Sequence, residues 1–364
     1  MALRLLIIAD DLTGALDCAC EASARGIGAS VFRTPQGLAQ AAHSSLPPVI
    51  AVSTGSRDGT EAGAEAAMAQ VCALLPELAS AHVMKKVDSR LKGHINVETG
   101  VLMQALGVSQ VLCGPAIPDM GRVQRHGHVE GAGVDTPIGI ASRLPDLTAL
   151  VPDILTDADF DTALNLYSKG SLLLGARGLA AALVARLWPE NSEQPPPKLA
   201  APALFAIGSR DQITCAQVAR LRAQMPALDW ISSPNGAMAD VTSGHHALRV
   251  LQLTEKPGRK ADQLAAARCF AQTVATVVAQ TPVTTLLACG GQTADALLAR
   301  LGVSRIDVEG ALSAGVAVGR IALSEGTSLR FVTKSGGFGG ANTLLDLARM
   351  IGIDDNIVKI SRSS

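Results

Sequence analysis

Short apolar runs that alternate with helical patterns constrain this chain more than any other feature. Apolar runs read as strands at 3–9, 28–32, 49–53, 82–87, 110–113, 171–174, 203–208, 284–289, 316–323 and 329–333. Helical patterns fall at 13–25, 60–75, 95–106, 177–187, 212–225, 261–280, 292–301 and 342–351. Continuous apolar strands between helices are buried on both faces. The expected class is therefore α/β, with mostly parallel sheets flanked by helices. The 364 residues have room for two such domains. The break between them is the segment 189–202, where Pro189, Pro195, Pro196, Pro197 and Pro202 favour an extended spacer. It separates a domain over 1–188 from one over 203–364. The cleft between two such domains is the expected place for an active site.

Composition narrows the function. Aromatic residues make up 2%, so the core must be aliphatic, and base stacking against single-stranded nucleic acid is not expected. A formal net charge of −1 leaves no footprint for nucleic acid or an anionic membrane. Seven scattered cysteines, none in a Cys-x-x-Cys pair, read as small buried hydrophobes in a reducing compartment rather than as zinc ligands. The first apolar run is too short for a signal peptide, and Asp10-Asp11 follows it where small residues would be needed for cleavage. No apolar run approaches the roughly 18 residues of a membrane span. The expected location is the cytoplasm.

The first apolar run ends in Ala9-Asp10-Asp11-Leu12-Thr13-Gly14-Ala15. Two adjacent carboxylates thus stand in a strand-to-helix turn, where open α/β sheets place their ligands. Such a turn repels phosphate and suits hydroxyl groups, proton acceptance or a metal ion. Asp11 or Thr13 also suits a helix N-cap, but one cap leaves Asp10 over. Ser56 and Arg57 follow the strand 49–53 and suit a carboxylate or phosphate. After the strand 82–87 comes Lys85-Lys86-Val87-Asp88-Ser89-Arg90-Leu91-Lys92-Gly93-His94, a local cluster of cations. Gly114 to Arg122 forms a Pro- and Gly-rich loop whose one anion-binding side chain is Arg122. Together these strand ends suit a small polyhydroxylated anion such as a sugar acid.

The second half carries Gly208-Ser209, then Gly290-Gly291-Gln292-Thr293, then Lys334-Ser335-Gly336-Gly337-Phe338-Gly339-Gly340. Each lies at the end of an apolar run, and the last two precede helical patterns. Glycines there expose backbone N–H groups to phosphate. Neither a Walker A sequence nor Gly-x-Gly-x-x-Gly is present.

In this order the segments Ala9–Ala15, Ser56-Arg57, Lys86–Glu98, Pro115–Arg122, Gly175–Leu179, Gly208-Ser209, Gly290–Ala294 and Lys334–Gly339 resemble the four-carbon acid sugar kinase family. The resemblance runs through nearly the whole chain. It implies an N-terminal sugar-acid-binding domain and a C-terminal nucleotide-binding domain. It further implies transfer of the γ-phosphoryl group of ATP, with Mg2+, to a hydroxyl of a tetronate-type acid. The chain departs from the family pattern at Arg90, Lys92 and His94, where the family usually has Thr, Arg and Asn. The segment after Arg122 is short, and Ser313-Ala314-Gly315-Val316 stands where Pro-Gly-Val is common. These departures bear on substrate recognition, since Lys cannot reproduce a bidentate guanidinium fork and Arg90 would have to supply it.

The expected roles follow. Asp11 is the candidate base, with Asp10 and Asp88 as alternatives. Asp10, Thr13, Ser56, Arg57, Lys86, Asp88, Ser89, Arg90 and Arg122 would bind the acid. Ser209, Gly290, Gly291, Gln292, Thr293, Lys334, Ser335, Gly336 and Gly337 would bind the nucleotide. No metal site made by the protein alone is expected. The partners are then the sugar acid and ATP, with a homo-oligomer left open. A non-catalytic sensor of sugar acid and nucleotide, and a nucleotide-dependent oxidoreductase, remain as alternatives.

Overall fold

The computed structural model describes residues 3–42, 44–78, 82–168, 170–237, 246–256, 262–323 and 326–352. The chain divides into two compact units, Met1–Pro195 and Pro196–Ser364. The first is built from β1 (Leu5–Ala9), α1 (Leu12–Ser23), β2 (Ala29–Phe32), α2 (Pro35–Ala41), β3 (Val49–Ser53), α3 (Glu61–Cys72), β4 (His82–Lys86) and α4 (Ile95–Leu106). It continues with β5 (Gln110–Gly114), β6 (Arg122–Arg125), β7 (His128–Gly131), β8 (Val134–Gly139), β9 (Ala149–Leu150), α5 (Asp159–Asn165), β10 (Ser171–Gly175) and α6 (Arg177–Leu187). Its sheet runs β2-β3-β1-β4-β10-β5-β9, every pairing parallel. All of β1 is buried because both faces of the sheet are covered. An aliphatic cluster that includes Leu6, Ile8, Ile50, Val52, Val111 and Leu174 forms the core.

The second unit comprises β11 (Ala203–Ile207), α7 (Gln212–Gln224), β12 (Asp229–Pro234), β13 (Leu248–Thr254), α8 (Gln263–Gln280), β14 (Thr285–Cys289), α9 (Gly291–Arg300), β15 (Arg305–Ser313), β16 (Val316–Ala322), β17 (Ser328–Lys334) and α10 (Thr343–Met350). Its strands run β12-β13-β11-β14-β17-β16-β15. The first five are parallel, and β16 and β15 close the series antiparallel. Position 261, where the helix over 261–280 was expected to begin, lies outside the described residues.

Several strand regions, the short β9 among them, escape the sequence pattern. β12 contains Asp229, two serines and Pro234, which read as a turn; as the last strand of its series it tolerates proline. β13 and β15 were not expected either. β15 alternates apolar with charged residues, the mark of a strand with one solvated face. Residues 122–139, which the sequence pattern assigns to no strand, form a three-stranded antiparallel sheet, β6-β7-β8. The segment 189–202 contains no helix or strand. Its first part is tied to the first unit, where Gln194 N–H donates to Ala24 O. Its last part is tied to the second, where Ala200 N–H donates to Thr285 Oγ1 at 3.2 Å.

Strand order decides where ligands go. In the first unit β1 lies between β3 and β4, so the connections leave it in opposite directions. In the second unit β11 lies in the same way between β13 and β14. Helices that start on either side of such a switch point splay apart and leave a crevice beyond the carboxyl ends of the strands. β1 ends at Ala9 beside Lys86, and β11 ends at Ile207 beside Cys289.

Candidate active site

The first switch point gathers charges from three strand ends. Asp10 follows β1 directly and is 1% exposed. Arg57, from the loop after β3, grips it with two parallel bonds: Nε to Oδ2 at 2.9 Å and Nη2 to Oδ1 at 2.7 Å. The same Nη2 also reaches Asp11 Oδ1 at 2.7 Å. Burial alone would raise the Asp10 carboxyl, but Lys85, Arg57 and Lys86 outweigh it and hold the group below its ordinary value. Asp11 caps α1 by accepting from Gly14 N–H at 3.0 Å, and Thr13 Oγ1 donates to it at 2.5 Å. Asp11 therefore accepts from three donors: Gly14 N–H, Thr13 Oγ1 and Arg57 Nη2. Nε and Nη2 of Arg57 are engaged by these two carboxylates.

The next strand end separates two adjacent lysines, because successive side chains of a strand point to opposite faces. Lys85 is fully buried, with Nζ 2.9 Å from Glu98 Oε2 of α4. It also donates to Lys86 O at 3.2 Å. Ser56 donates to the other oxygen of Glu98. Ser56, Lys85 and Glu98 thus form a buried network under the loop that carries Arg57. Lys86 points the other way, toward α1. It is 6% exposed, and among the described residues it makes no hydrogen bond and no ion pair. Gly14 makes room for it: a methyl group there would lie 2.6 Å from Lys86 Nζ and 2.5 Å from Asp11 Oδ1.

Arg90, Ser89, Asp88 and Arg122 form a neighbouring group. Asp88 Oδ1 accepts from Arg90 N–H at 2.9 Å, which shapes the turn and leaves the Arg90 side chain exposed. Arg122, the first residue of β6, is anchored by Ser89 Oγ at 2.6 Å and by Ala132 O. Burial and the nearby Arg90 lower the Arg122 guanidinium against the pull of Asp88. These two arginines have no paired carboxylate within ion-pair distance among the described residues. A loop contact joins this group to the acidic turn, since Gly93 packs against Asp10 and Arg57.

At the second switch point glycines dominate the surface of the crevice. Gly208-Ser209, Gly290–Thr293 and Gly336-Gly337 meet at the ends of β11, β14 and β17. A methyl group at Gly208 would collide with Thr293 Oγ1, and one at Gly336 with Ser209 Oγ. Gly290 takes φ +109° at the start of α9, and that helix has no side-chain cap, so its first N–H groups are left for another partner. Gln292 is exposed there, whereas Thr293 is 4% exposed and packs inward. Lys334 is fully buried and turned inward. Its Nζ donates to Ser335 O at 3.0 Å, to Gly336 O at 3.3 Å and to Thr214 Oγ1 at 3.4 Å. It thereby draws the loop carbonyls away from the surface. Burial lowers its ammonium, opposed by Cys289 and Asp211.

Five residues at these strand ends were not singled out by role: Asp17, Lys85, Glu98, Arg177 and Asp211. Asp211 stands beside Gly337 and caps α7 through Ile213 N–H at 2.8 Å. Its position three residues after Gly208 was a usable signal. Among the described residues no group of three or more His, Cys, Asp or Glu side chains could hold a metal. No helix among them is long and apolar enough to cross a membrane.

Comparison with known proteins agrees with this division. A family model described as a sugar-binding N-terminal domain matches residues 5–139, and one described as a nucleotide-binding C-terminal domain matches 204–344. A D-threonate kinase of Bordetella bronchiseptica is 28% identical over 95% of this chain and 96% of its own. A D-threonate kinase of Salmonella typhimurium is 25% identical over 94% and 97%. The fold matches a crystal structure of a Haemophilus influenzae protein with a TM-score of 0.67 at 20% identity, covering 95% of this chain and 100% of that one. A Salmonella typhimurium LT2 structure matches with a TM-score of 0.71 at 18% identity, over 95% and 99%. With both family domains in order and named relatives spanning nearly its whole length, the chain belongs to the four-carbon acid sugar kinase family.

Proposed function

We propose that the protein is an ATP-dependent kinase that phosphorylates a hydroxyl group of a small sugar acid of the four-carbon type. The observation that carries the reading is Lys86, a buried ammonium at the switch point of the sugar-binding domain that makes no ion pair or hydrogen bond among the described residues. A buried charge needs a counter-charge, and a carboxylate ligand supplies it. Arg90 and Arg122 add positive charge for the same acid. Asp10 and Asp11, held by Arg57, offer their remaining lone pairs to its hydroxyls, with Thr13 keeping Asp11 in place. Ser56 acts through Glu98, and Ser89 through Arg122, as supports of these groups.

ATP belongs to the second unit. Its phosphates suit the N–H groups of Gly291, Gln292 and Thr293 and those of Gly336 and Gly337. Ser209 and Ser335 add donors at the rim, and Gly290 keeps the approach clear. Lys334 serves by setting the loop rather than by touching phosphate. Asp211, a single carboxylate beside the glycine loops, suits magnesium that arrives on the nucleotide and keeps most of its water. The ion would neutralise phosphate charge. The protein's own residues orient the acid and hold the nucleotide, which is most of what phosphoryl transfer requires.

A coupled ADP-release assay over D-threonate, L-threonate, D-erythronate and the neutral polyol threitol tests the proposal. Turnover with at least one acid and none with threitol is expected. ATP with magnesium should raise the melting temperature, because a ligand of the folded state stabilises it. Equal turnover of threitol, or a thermal shift with NAD and none with ATP, overturns the reading.

A further inference from the structure

Helix α1 presents Asp11, Gly14, Asp17 and Glu21 along one face, since residues three and four apart line up. At the first position, Asp11 is taken by the cap and by Arg57. At the last, Glu21 is taken by Arg177 Nη1 at 3.0 Å, and Arg177 Nη2 holds Asp119 at 2.7 Å. Between them lie Gly14, with Lys86 Nζ against it, and Asp17 one turn further on. Among the described residues Asp17 makes no hydrogen bond and no ion pair within reach of its carboxyl. The groups that face it are Lys86 from β4, Asp11 and Glu21 from its own helix, and Arg177 from α6. One nearly buried ammonium and one half-buried carboxyl therefore adjoin each other, each without a bonded partner, at the switch point of the sheet.

We propose that Lys86 and Asp17 form a two-ended subsite for a 2- or 3-hydroxy acid, with Lys86 binding the carboxylate and Asp17 accepting a hydrogen bond from a hydroxyl. This inference rests on the sugar-acid reading above and adds Asp17 as the residue that distinguishes a hydroxy acid from a plain carboxylic acid. The missing side chain at Gly14 is what lets the Lys86 ammonium pack against the face of α1 that carries Asp17. A hydroxy acid completes both at once, because it is an anion at one end and a donor at the other. A plain carboxylate completes Lys86 and places its charge beside Asp17, which repels it. A neutral polyol completes Asp17 and leaves the ammonium uncompensated. Burial pushes the Asp17 carboxyl up to about 6, so it is ionised and able to accept at neutral pH.

Isothermal titration calorimetry on the full chain tests this with D-threonate, L-threonate, D-erythronate and butyrate. The variant Asp17→Asn keeps the size of the side chain and removes its charge, and thermal melting checks that it folds. Binding of the hydroxy acid preferred by the wild type should weaken about tenfold or more, the scale of a hydrogen bond to a charged group. Butyrate binding should stay the same or tighten, because a repelling charge has gone. A merely structural role for Asp17 would weaken both ligands together. Hydroxy-acid binding that is unchanged or tighter in Asp17→Asn overturns the proposal and makes Asp17 only a counter-charge for Lys86. If Asp17→Asn does not fold, Asp17→Glu takes its place: displacing the same carboxylate should weaken the hydroxy acid, and unchanged binding overturns the proposal. Should the wild type bind none of the three hydroxy acids, the sugar-acid reading itself fails, an outcome distinct from a bound acid that ignores Asp17.

Discussion

Among the described residues each unit buries one lysine completely near the end of a strand, and the two lysines are treated differently. Lys85 meets a carboxylate, Glu98, in an ion pair with 0% and 1% of the side chains exposed. Among the described residues Lys334 hydrogen-bonds only to neutral oxygens: two carbonyls of its own loop and the hydroxyl of Thr214. The first arrangement cancels charge inside the protein and stiffens the loop that carries Arg57 through Ser56. The second leaves a net positive charge beneath a glycine loop. The difference follows the proposed ligands. A site for a small acid needs its surplus cation at the surface of the crevice, as Lys86 provides, so the deeper lysine is neutralised. A site for polyphosphate gains from positive charge at depth, where screening by water is weak.

Breaking the Lys85 pair should give the largest effect on stability. Glu98→Gln leaves a buried ammonium uncompensated, which typically costs about 3–5 kcal/mol. Urea unfolding at neutral pH reads the loss, and a change below about 1 kcal/mol would mean that Lys85 reaches water and that the contrast with Lys334 is false. Lys334→Met should cost less, about 1–2 kcal/mol, because the lost hydrogen bonds are offset by removal of an unpaired charge. Its main consequence should be a KM for ATP raised about tenfold while binding of the acid is unchanged. A stability loss equal to that of Glu98→Gln with nucleotide binding intact would reverse the assignment of roles.

The smallest effect sharpens the acid side of the comparison through pH. Burial moves Asp17 from 3.8 to about 6 on folding. Between these values the folded chain holds a proton that the unfolded chain has released. Stability from this group therefore falls as pH rises through the window and stays low above it. Asp10 works in the opposite sense, since its carboxyl is held below the ordinary value and its contribution is lost toward acid pH. Melting curves at pH 4, 5, 6 and 7 should show Asp17→Asn gaining on the wild type as pH rises from 4 to 6. A difference that does not change with pH would place Asp17 in water.

The strands that form both switch points were legible because each is a short, continuous apolar run buried on two faces, and that signal is local. Strands β12 and β15 were not legible, since polar residues on a solvated or outermost strand erase the apolar run. The motif loops were legible for a similar reason: glycine clusters and adjacent charges at strand ends are properties of a few consecutive residues. What each charge does was not legible. Arg57 looked free and is committed to Asp10, 47 residues away in sequence. Lys334 looked like a phosphate ligand and faces its own loop. Lys86 and Lys85 stand side by side in one cluster of cations, yet among the described residues one is unpaired and the other neutralised.

By itself the sequence determined the class of fold, the two-part organisation, the family and the strand ends at which chemistry gathers. Only the tertiary structure decided which cations are left without an anion, because pairing depends on distances between residues far apart in the chain. It also decided that Gly14 makes room for Lys86 and that Asp17, near it, has no bonded partner among the described residues. Strand periodicity reports how one segment meets the core, whereas charge compensation is a property of what several segments bring to one place.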